Sequence, residues 1–120
     1  YKRVTFNGIT ISTRNVKDCY VKTKFGVGIV KDIIKDSDCI FFSVNLFAKH
    51  RDWFTNPCHS GELGIYEVSN LSSQTRKISL QNVLGKCFLL QRKDQMIAIP
   101  MAHTNCKCSY FFIYHLIGFN

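Results

Sequence analysis

The sequence predicts a mostly β fold, a curved antiparallel sheet that forms a partly open β-barrel with short helical turns. Apolar stretches of strand length alternate with turn signals along the chain, which is typical of sandwiches and barrels. No internal repeat or low-complexity segment is visible. The 120 residues, of which 46% are hydrophobic, are enough for a single domain over residues 1–120 with one core.

The first fifteen residues carry the clearest local signal, which is that of a β-hairpin. The expected strands Arg3–Phe6 and Ile9–Ser12 flank the dipeptide Asn7-Gly8. Asn-Gly supplies the positive φ angles of a type I′ turn, so the two strands can pair directly. A further strand is predicted over residues 18–24.

The middle of the chain predicts a second hairpin and a long loop. The Gly-Val-Gly segment at 26–28 is expected to break the strand pattern with a bulge or sharp bend. Strands over 29–34 and 39–47 follow, and the polar turn at 35–38 predicts that they pair antiparallel. Residues 50–61 contain Asn-Pro and Ser-Gly and are expected to form a long exposed loop, which in compact domains is often functional.

The last third of the chain predicts short strands, one helical turn and an apolar tail. Ser79 is expected to cap a helical turn over residues 81–84, which Gly85 stops. Pro100 predicts that the final strand ends there or lies at an edge. The tail, residues 109–120, is expected to pack on the barrel as a strand or a helix. The remaining strands are predicted over residues 62–69, 77–80, 87–91 and 95–101, and the last two are expected to form a hairpin around residues 92–94.

The net charge of +8 favours an acidic partner, such as nucleic acid, an acidic histone surface or anionic lipid. The basic residues are spread along the chain, so a solvated basic surface is the competing interpretation. The apolar run at 110–119 is about half the length of a bilayer-spanning helix, so no membrane segment is expected. If nucleic acid binds, the expected phosphate contacts are Lys22, Lys24, Arg51, Arg76, Lys77, Arg92 and Lys93.

The cysteines favour a reduced, intracellular setting. Three of the six, Cys19, Cys39 and Cys87, lie in apolar runs, where cysteines usually act as small buried hydrophobes. The Asn70-Leu71-Ser72 sequon is the opposing signal, because glycosylation would place the chain outside the cell.

Neither a metal site nor a catalytic site is expected. His103, Cys106 and Cys108 lie close together and Cys58-His59 could add ligands, but the spacing does not match the paired ligands that zinc prefers. Cys58 and His59 are neighbours in sequence, whereas a cysteine nucleophile and its base usually converge from distant segments. No phosphate loop, nucleophile elbow or zinc-protease motif is present. The sequence therefore predicts a non-enzyme without a cofactor.

Exposed aromatic residues are the strongest candidates for contact with a partner. Aromatic side chains can cage a methylated lysine or stack against bases, and the competing interpretation is that they pack in the core. Trp53 is the best candidate, because its sequence neighbours are polar and predict a solvated segment. The expected contact residues are Trp53, Phe54, Tyr66 and Tyr20.

The stretches at 62–69 and 78–90 resemble the second half of a bromo-adjacent homology (BAH) domain, and Val83-Leu84-Gly85-Lys86-Cys87 is the most specific part. The segment at 25–34 resembles that family's entry strand, and the likeness covers about residues 16–101. The chain departs from the pattern at Gly61, where the family has Asn, and at 45–49, where it has an aromatic run. The segment Ile99-Pro100-Met101-Ala102-His103-Thr104 is also similar to a small β-domain of transposon-derived proteins.

Both resemblances imply a nuclear, non-catalytic interaction module, and the predicted partner is a protein such as a histone or a chromatin factor. A partner peptide would lie along an exposed strand edge or a loop surface, where main-chain pairing provides affinity. Two alternatives stay open: sequence-nonspecific nucleic-acid binding through the basic residues, and homodimerisation through the apolar tail.

Overall fold

The computed structural model describes residues 2–6, 8–15 and 18–101, and the predicted mostly β fold class is confirmed. Two short 3₁₀ turns, Ser60–Leu63 and Leu80–Asn82, lie between the strands. Over the described residues no helix is long and apolar enough to cross a membrane. The strands are β1 (Arg3–Phe6), β2 (Ile9–Ser12), β3 (Tyr20–Thr23), β4 (Gly26–Asp36), β5 (Cys39–Asp52), β6 (Tyr66–Leu71), β7 (Arg76–Ser79), β8 (Val83–Arg92) and β9 (Gln95–Pro100).

Six of the strands form a ring in which every pairing is antiparallel. The order is β4-β3-β8-β9-β6-β5, and β5 pairs with β4 to return to the start. β7 adds to the ring beside the first half of β5. β1 and β2 form a separate two-stranded sheet. The sheet therefore curves onto itself, which removes most of the free strand edges that an open sheet would expose.

The interior of the ring holds an apolar cluster to which all six ring strands contribute. Along each strand successive side chains point to opposite faces, so each ring strand can direct some of its side chains into this interior. The buried members are Val27, Phe47, Val68, Cys87 and Ala98, and Tyr20, Ile29, Tyr66, Leu89 and Met96 pack against them.

The outer faces of the ring are covered at two places. The β1–β2 hairpin brings Ile9 and Ile11 onto an apolar cluster that includes Phe42 and Ile78. Lys86 ties this hairpin to the ring, since its Nζ donates to the Thr10 carbonyl at 2.9 Å. On another face, the segment at 53–65 covers a third cluster. Its members are Ile65, Ile97 and Ile99, with Trp53, Phe54, Leu63, Phe88 and Leu90 packed against them.

The three predicted hairpins are confirmed. In the first, Val4 pairs with Ile11, as the Asn-Gly turn requires. β4 and β5 form the second hairpin around a turn at 37–38, and β8 and β9 form the third. Pro100 is the last residue of β9, which agrees with the prediction that the strand ends there.

The predicted break lies just before the Gly-Val-Gly segment, at a turn over residues 24–25 that separates β3 from β4. Gly26 and Gly28 both lie within β4, and its register shift falls later, between Val30 and Asp32. Gly28 is needed instead for close approach, because a Cβ there would lie 2.6 Å from the Asn45 carbonyl oxygen on β5.

Two further boundaries differ from the prediction because tertiary pairing decides them. The expected loop at 50–61 begins only after Asp52, since the polar second half of β5 pairs with β6. Gly85 does not stop the helical turn, which ends at Asn82; β8 starts at Val83 and contains the glycine. Ser79 does cap the turn, accepting a hydrogen bond from the Gln81 N–H at 3.4 Å. The apolar tail lies outside the described residues.

Candidate functional site

One end of the ring is open and forms a concave basic and aromatic surface, which we call the mouth. It lies where β3 ends, β4 and β6 begin, β5 ends and β8 begins. The cavity there has a volume of about 300 Å³, and none of the described residues that line it is acidic. The side chains that define the mouth are Lys22, Lys24, Phe25, His50, Tyr66 and Leu84.

Tyr66 lies at the centre of the mouth between two nitrogen-bearing side chains. The Lys22 ammonium lies 5.3 Å from the centroid of the Tyr66 ring, within the range of a cation–π contact. The His50 ring meets the Tyr66 ring edge-on, with centroids 5.2 Å apart and an interplanar angle of 82°. The Tyr66 hydroxyl donates to the Gly61 carbonyl at 3.3 Å, which fixes the orientation of the ring.

Lys22 is directed into the mouth by strand alternation. Its neighbours Val21 and Thr23 are buried on the opposite face of β3, where Val21 joins the cluster under the β1–β2 hairpin. The intervening position must therefore face the interior of the ring. Lys22 is half-buried, and its long aliphatic stem allows the ammonium to reach the opening.

The rim of the mouth is apolar and exposed. Phe25 is 44% exposed and Leu84 is 57% exposed, although both are large hydrophobic residues. The Arg76 guanidinium carbon lies 3.7 Å above the centroid of the Phe25 ring, which is the geometry of a stacked cation–π pair.

A tight turn between β3 and β4 holds Phe25 at this rim. The Thr23 hydroxyl donates to the Gly26 carbonyl at 2.9 Å and accepts from the Phe25 N–H at 3.0 Å. Gly26 has φ +128°, a conformation that L side chains rarely adopt. The turn therefore presents Phe25 to solvent in a defined position.

A larger concavity, about 630 Å³, lies on the outer face of β5 and β6, where Glu67 neutralises Arg51 and only the charge of Lys49 is left over. Arg51 makes a bidentate contact with Glu67, with Nη2 2.7 Å from Oε1 and 3.0 Å from Oε2. The hydrogen bonds from Arg51 hold the pKa of the Glu67 carboxyl below its usual value, and those to Glu67 raise the pKa of Arg51. This concavity is therefore a weaker anion site than the mouth, even though it is larger.

The four aromatic residues predicted to contact a partner do not share one surface. Tyr66 lies in the mouth, whereas Tyr20 is half-buried against the interior cluster and burial raises its pKa. Trp53 and Phe54 have ring centroids 5.9 Å apart and pack on the third cluster. Trp53 is half-buried there, whereas its neighbours Arg51, Thr55 and Asn56 are exposed, as the polar sequence around it predicts.

The seven predicted phosphate contacts are also divided. Lys22 and Lys24 line the mouth, and Arg76 adjoins it through Phe25. The remaining four residues lie elsewhere. Lys77 is 4.3 Å from the Phe41 ring centroid, Arg51 is paired with Glu67, and Arg92 and Lys93 lie at the β8–β9 turn.

Sequence reasoning missed Phe25, Leu84 and His50 as members of the site. Phe25 carried a usable signal, because a lone phenylalanine between Lys24 and Gly26 occupies a turn where burial is not expected. Leu84 and His50 carried none, since their positions depend on the closure of the ring.

Over the residues it describes, the structure brings together no group of side chains that could hold a metal ion. His59 Nδ1 lies 3.0 Å from Asp52 Oδ2, but no three His, Cys, Asp or Glu side chains converge within that part of the chain. His103, Cys106 and Cys108 lie outside the described residues.

Burial makes two of the cysteines poor nucleophiles. It raises the pKa of the Cys87 thiol to about 12 and also raises the pKa of Cys19. Cys39 is exposed, so its predicted burial is wrong; it lies at the tip of the β4–β5 hairpin, where neither face is covered.

Comparison with known proteins identifies a family for this chain, but no individual relative. The family model for a domain of unknown function (DUF8592) matches residues 1–101. Comparisons with the curated proteins and with the solved structures found no match.

Proposed function

The chain belongs to the DUF8592 family, and from the geometry of its mouth we propose that it is a non-catalytic interaction module that binds nucleic acid there. The observation that carries this proposal is the convergence of Lys22, Lys24 and Arg76 with two exposed apolar side chains around one opening. Phosphate groups supply the opposite charge, and bases supply flat apolar faces.

The charge distribution supports an anionic partner. No acidic residue competes for the cations among the described residues that line the mouth. The whole chain carries a net charge of +8, which attracts a polyanion from a distance and speeds its association. The setting that we propose is chromatin in the nucleus, where such a polyanion is abundant.

The proposal can be tested by fluorescence anisotropy of labelled DNA titrated with the protein across a salt series. We expect binding that weakens with salt, because each neutralised phosphate releases counterions. The double variant K22A/K24A should bind more weakly and should lower the salt slope by about 1.4 to 1.8, the value for two lost phosphate contacts.

A matched control variant removes two positive charges, as K22A/K24A does, at a position outside the mouth. Arg92 lies eight positions after Leu84 along β8, roughly 26 Å from the mouth at 3.3 Å per residue. The variant R92A/K93A should therefore keep most of the wild-type affinity. Equal losses in the two double variants would show that net charge alone drives binding, and no binding by the wild-type protein would overturn the proposal.

A second candidate is a peptide-binding module, as the resemblance to BAH domains implies. Over the described residues β7 pairs only with β5, so its other edge offers main-chain groups to an added strand. Arg76 and Lys77 on β7 favour an acidic segment of a chromatin factor. Amide shift changes at Arg76–Ser79 during titration with an acidic peptide, without changes at Tyr66, would support this candidate.

A further inference from the structure

The shape and chemistry of the mouth indicate which form of nucleic acid it accepts. We infer that the ligand is a single strand, with an unpaired base against Phe25 and Leu84 and the adjoining phosphates on Lys22 and Lys24. This inference rests on the proposed nucleic-acid binding and deepens it by naming the ligand class.

The size of the mouth argues against a duplex. At about 300 Å³ the cavity is at the lower end of the range for small-ligand sites, so it holds one small group at a time. Reading a duplex through its major groove requires a protruding helix or β-ribbon. The mouth is concave and is lined by strand ends and a turn, so a duplex would meet it through its backbone.

The exposed apolar rim argues for bases. Phe25 and Leu84 are two of the four large hydrophobic residues that are exposed over the described residues, and both line the mouth. A duplex offers them only its sugars and charged phosphates, because the flat faces of its bases are stacked inside. An unstacked base has a flat apolar face that would cover Phe25 and Leu84, and that face would be removed from water at the same time.

Arg76 and Phe25 form a stacking platform. The guanidinium carbon lies 3.7 Å above the ring centroid, so a planar cation and an aromatic ring are already layered before a ligand arrives. Single-strand binding sites combine such flat groups with cations that follow the backbone. Lys24 adjoins Phe25 in the chain, and Lys22 lines the same cavity with its ammonium 5.3 Å from the Tyr66 ring centroid, so two cations accompany the platform.

Exposed apolar residues beside cations could also dock on an anionic lipid surface. Two features favour the single strand. The cations line a cavity, whereas a flat lipid surface requires a convex contact. The Phe25 ring is covered by Arg76 on one face, so it does not project as an apolar tip. Lipid binding is therefore one of the outcomes that the experiment must separate.

The experiment measures the anisotropy of three labelled probes of about 15 nucleotides: oligo(dT), the matched duplex, and an abasic strand with the same phosphates. We expect oligo(dT) to bind about 10-fold or more tightly than the abasic strand and the duplex. Phe25→Ala should remove most of that difference, while Phe25→Trp should keep it. A matched control, Leu71→Ala, alters an exposed residue outside the mouth and should bind as wild type.

The outcomes separate this inference from the proposed function. If the duplex or the abasic strand binds as tightly as oligo(dT), and binding is weakened in K22A/K24A, the inference of a single strand with an unpaired base is overturned and nucleic-acid binding is left intact. No binding to any probe would overturn both. If the protein instead binds phosphatidylserine vesicles in a Phe25-dependent way and ignores oligo(dT), the mouth is a lipid site and the inference fails. If single-strand binding is established, the affinity for oligo(U) compared with that for oligo(dT) shows whether the protein distinguishes RNA from DNA.

Discussion

At the scale of single residues, Glu67 shows how hydrogen bonds from two neighbouring strands stabilise one charged side chain. Glu67 on β6 accepts from Arg51 on β5 and from Gln95 Nε2 on β9 at 3.2 Å. The Glu67 side chain is only 12% exposed, whereas that of Arg51 is 76% exposed. A carboxylate that accepts several hydrogen bonds is stabilised in its charged form, and for this reason the pKa of Glu67 is lowered.

The lowered pKa of Glu67 predicts a specific dependence of stability on pH. Because the pKa is lower in the folded chain than in the unfolded chain, the ionised carboxylate stabilises the fold at neutral pH. That contribution is lost as pH falls from about 4.5 through the folded-state pKa. Thermal melts of wild type and E67Q should therefore differ most at neutral pH and converge in acid.

The partner residue provides the control for this prediction. R51Q should remove most of the same pH-dependent difference, and the double variant R51Q/E67Q should add little to either single variant. A difference between wild type and E67Q that stays constant into acid would show that Arg51 does not stabilise the charged form of Glu67.

At the scale of elements, the segment at 53–65 shows how a polar residue orders a loop. Ser60 is fully buried, and its Oγ accepts from the Trp53 N–H at 2.7 Å and donates to the Ile65 carbonyl at 2.8 Å. Asp52 adds a second tie, because its Oδ1 accepts from the Gly61 N–H at 2.7 Å. These bonds hold Trp53 against the third apolar cluster.

Ser60→Ala is expected to destabilise the protein by about 1–3 kcal/mol, because it leaves the part-buried Trp53 N–H and the buried Ile65 C=O without their Ser60 partner. Urea denaturation followed by Trp53 fluorescence measures the change. The exposed Ser73 is the matched control, and Ser73→Ala should lie within about 0.5 kcal/mol of wild type. Equal midpoints for the two variants would show that Ser60 does not order the loop.

At the scale of the whole molecule, closure of the ring depends on close approach between β4 and β5. A Cβ at Gly28 would lie 2.5 Å from Val44 Cγ1 and 2.6 Å from the Asn45 carbonyl oxygen. The second of these contacts is with backbone, which cannot move aside without separating the strands. The mouth depends on this closure, since it is formed by strands that meet only when the ring is complete.

Gly28→Ala is therefore expected to destabilise the fold by about 1–3 kcal/mol through overpacking. Gly85 provides a matched control on β8, because a Cβ there meets no atom within 4 Å. Gly85→Ala should be neutral or stabilising by up to about 1 kcal/mol, since it restricts the unfolded chain. Chemical denaturation of both variants tests the contrast, and a Gly28→Ala midpoint at or above that of Gly85→Ala would contradict it.

The sequence by itself determined the elements whose partners are close along the chain. Asn7-Gly8 predicts the first hairpin, the polar turn at 35–38 predicts the second, and Ser79 predicts the cap of a 3₁₀ turn. In each case the pairing or capping group lies nearby in sequence, so turn chemistry and alternation are sufficient to find it.

Only the tertiary structure decided the ring and its mouth. β6 pairs with β9 and β3 pairs with β8, and no pattern in the local sequence predicts these pairings or their registers. The same closure extends β5 through its polar half and leaves Cys39 exposed at a hairpin tip. It also selects Lys22 and Lys24 from a dispersed set of cations, because a charge becomes part of a site only when distant strands bring it beside the others.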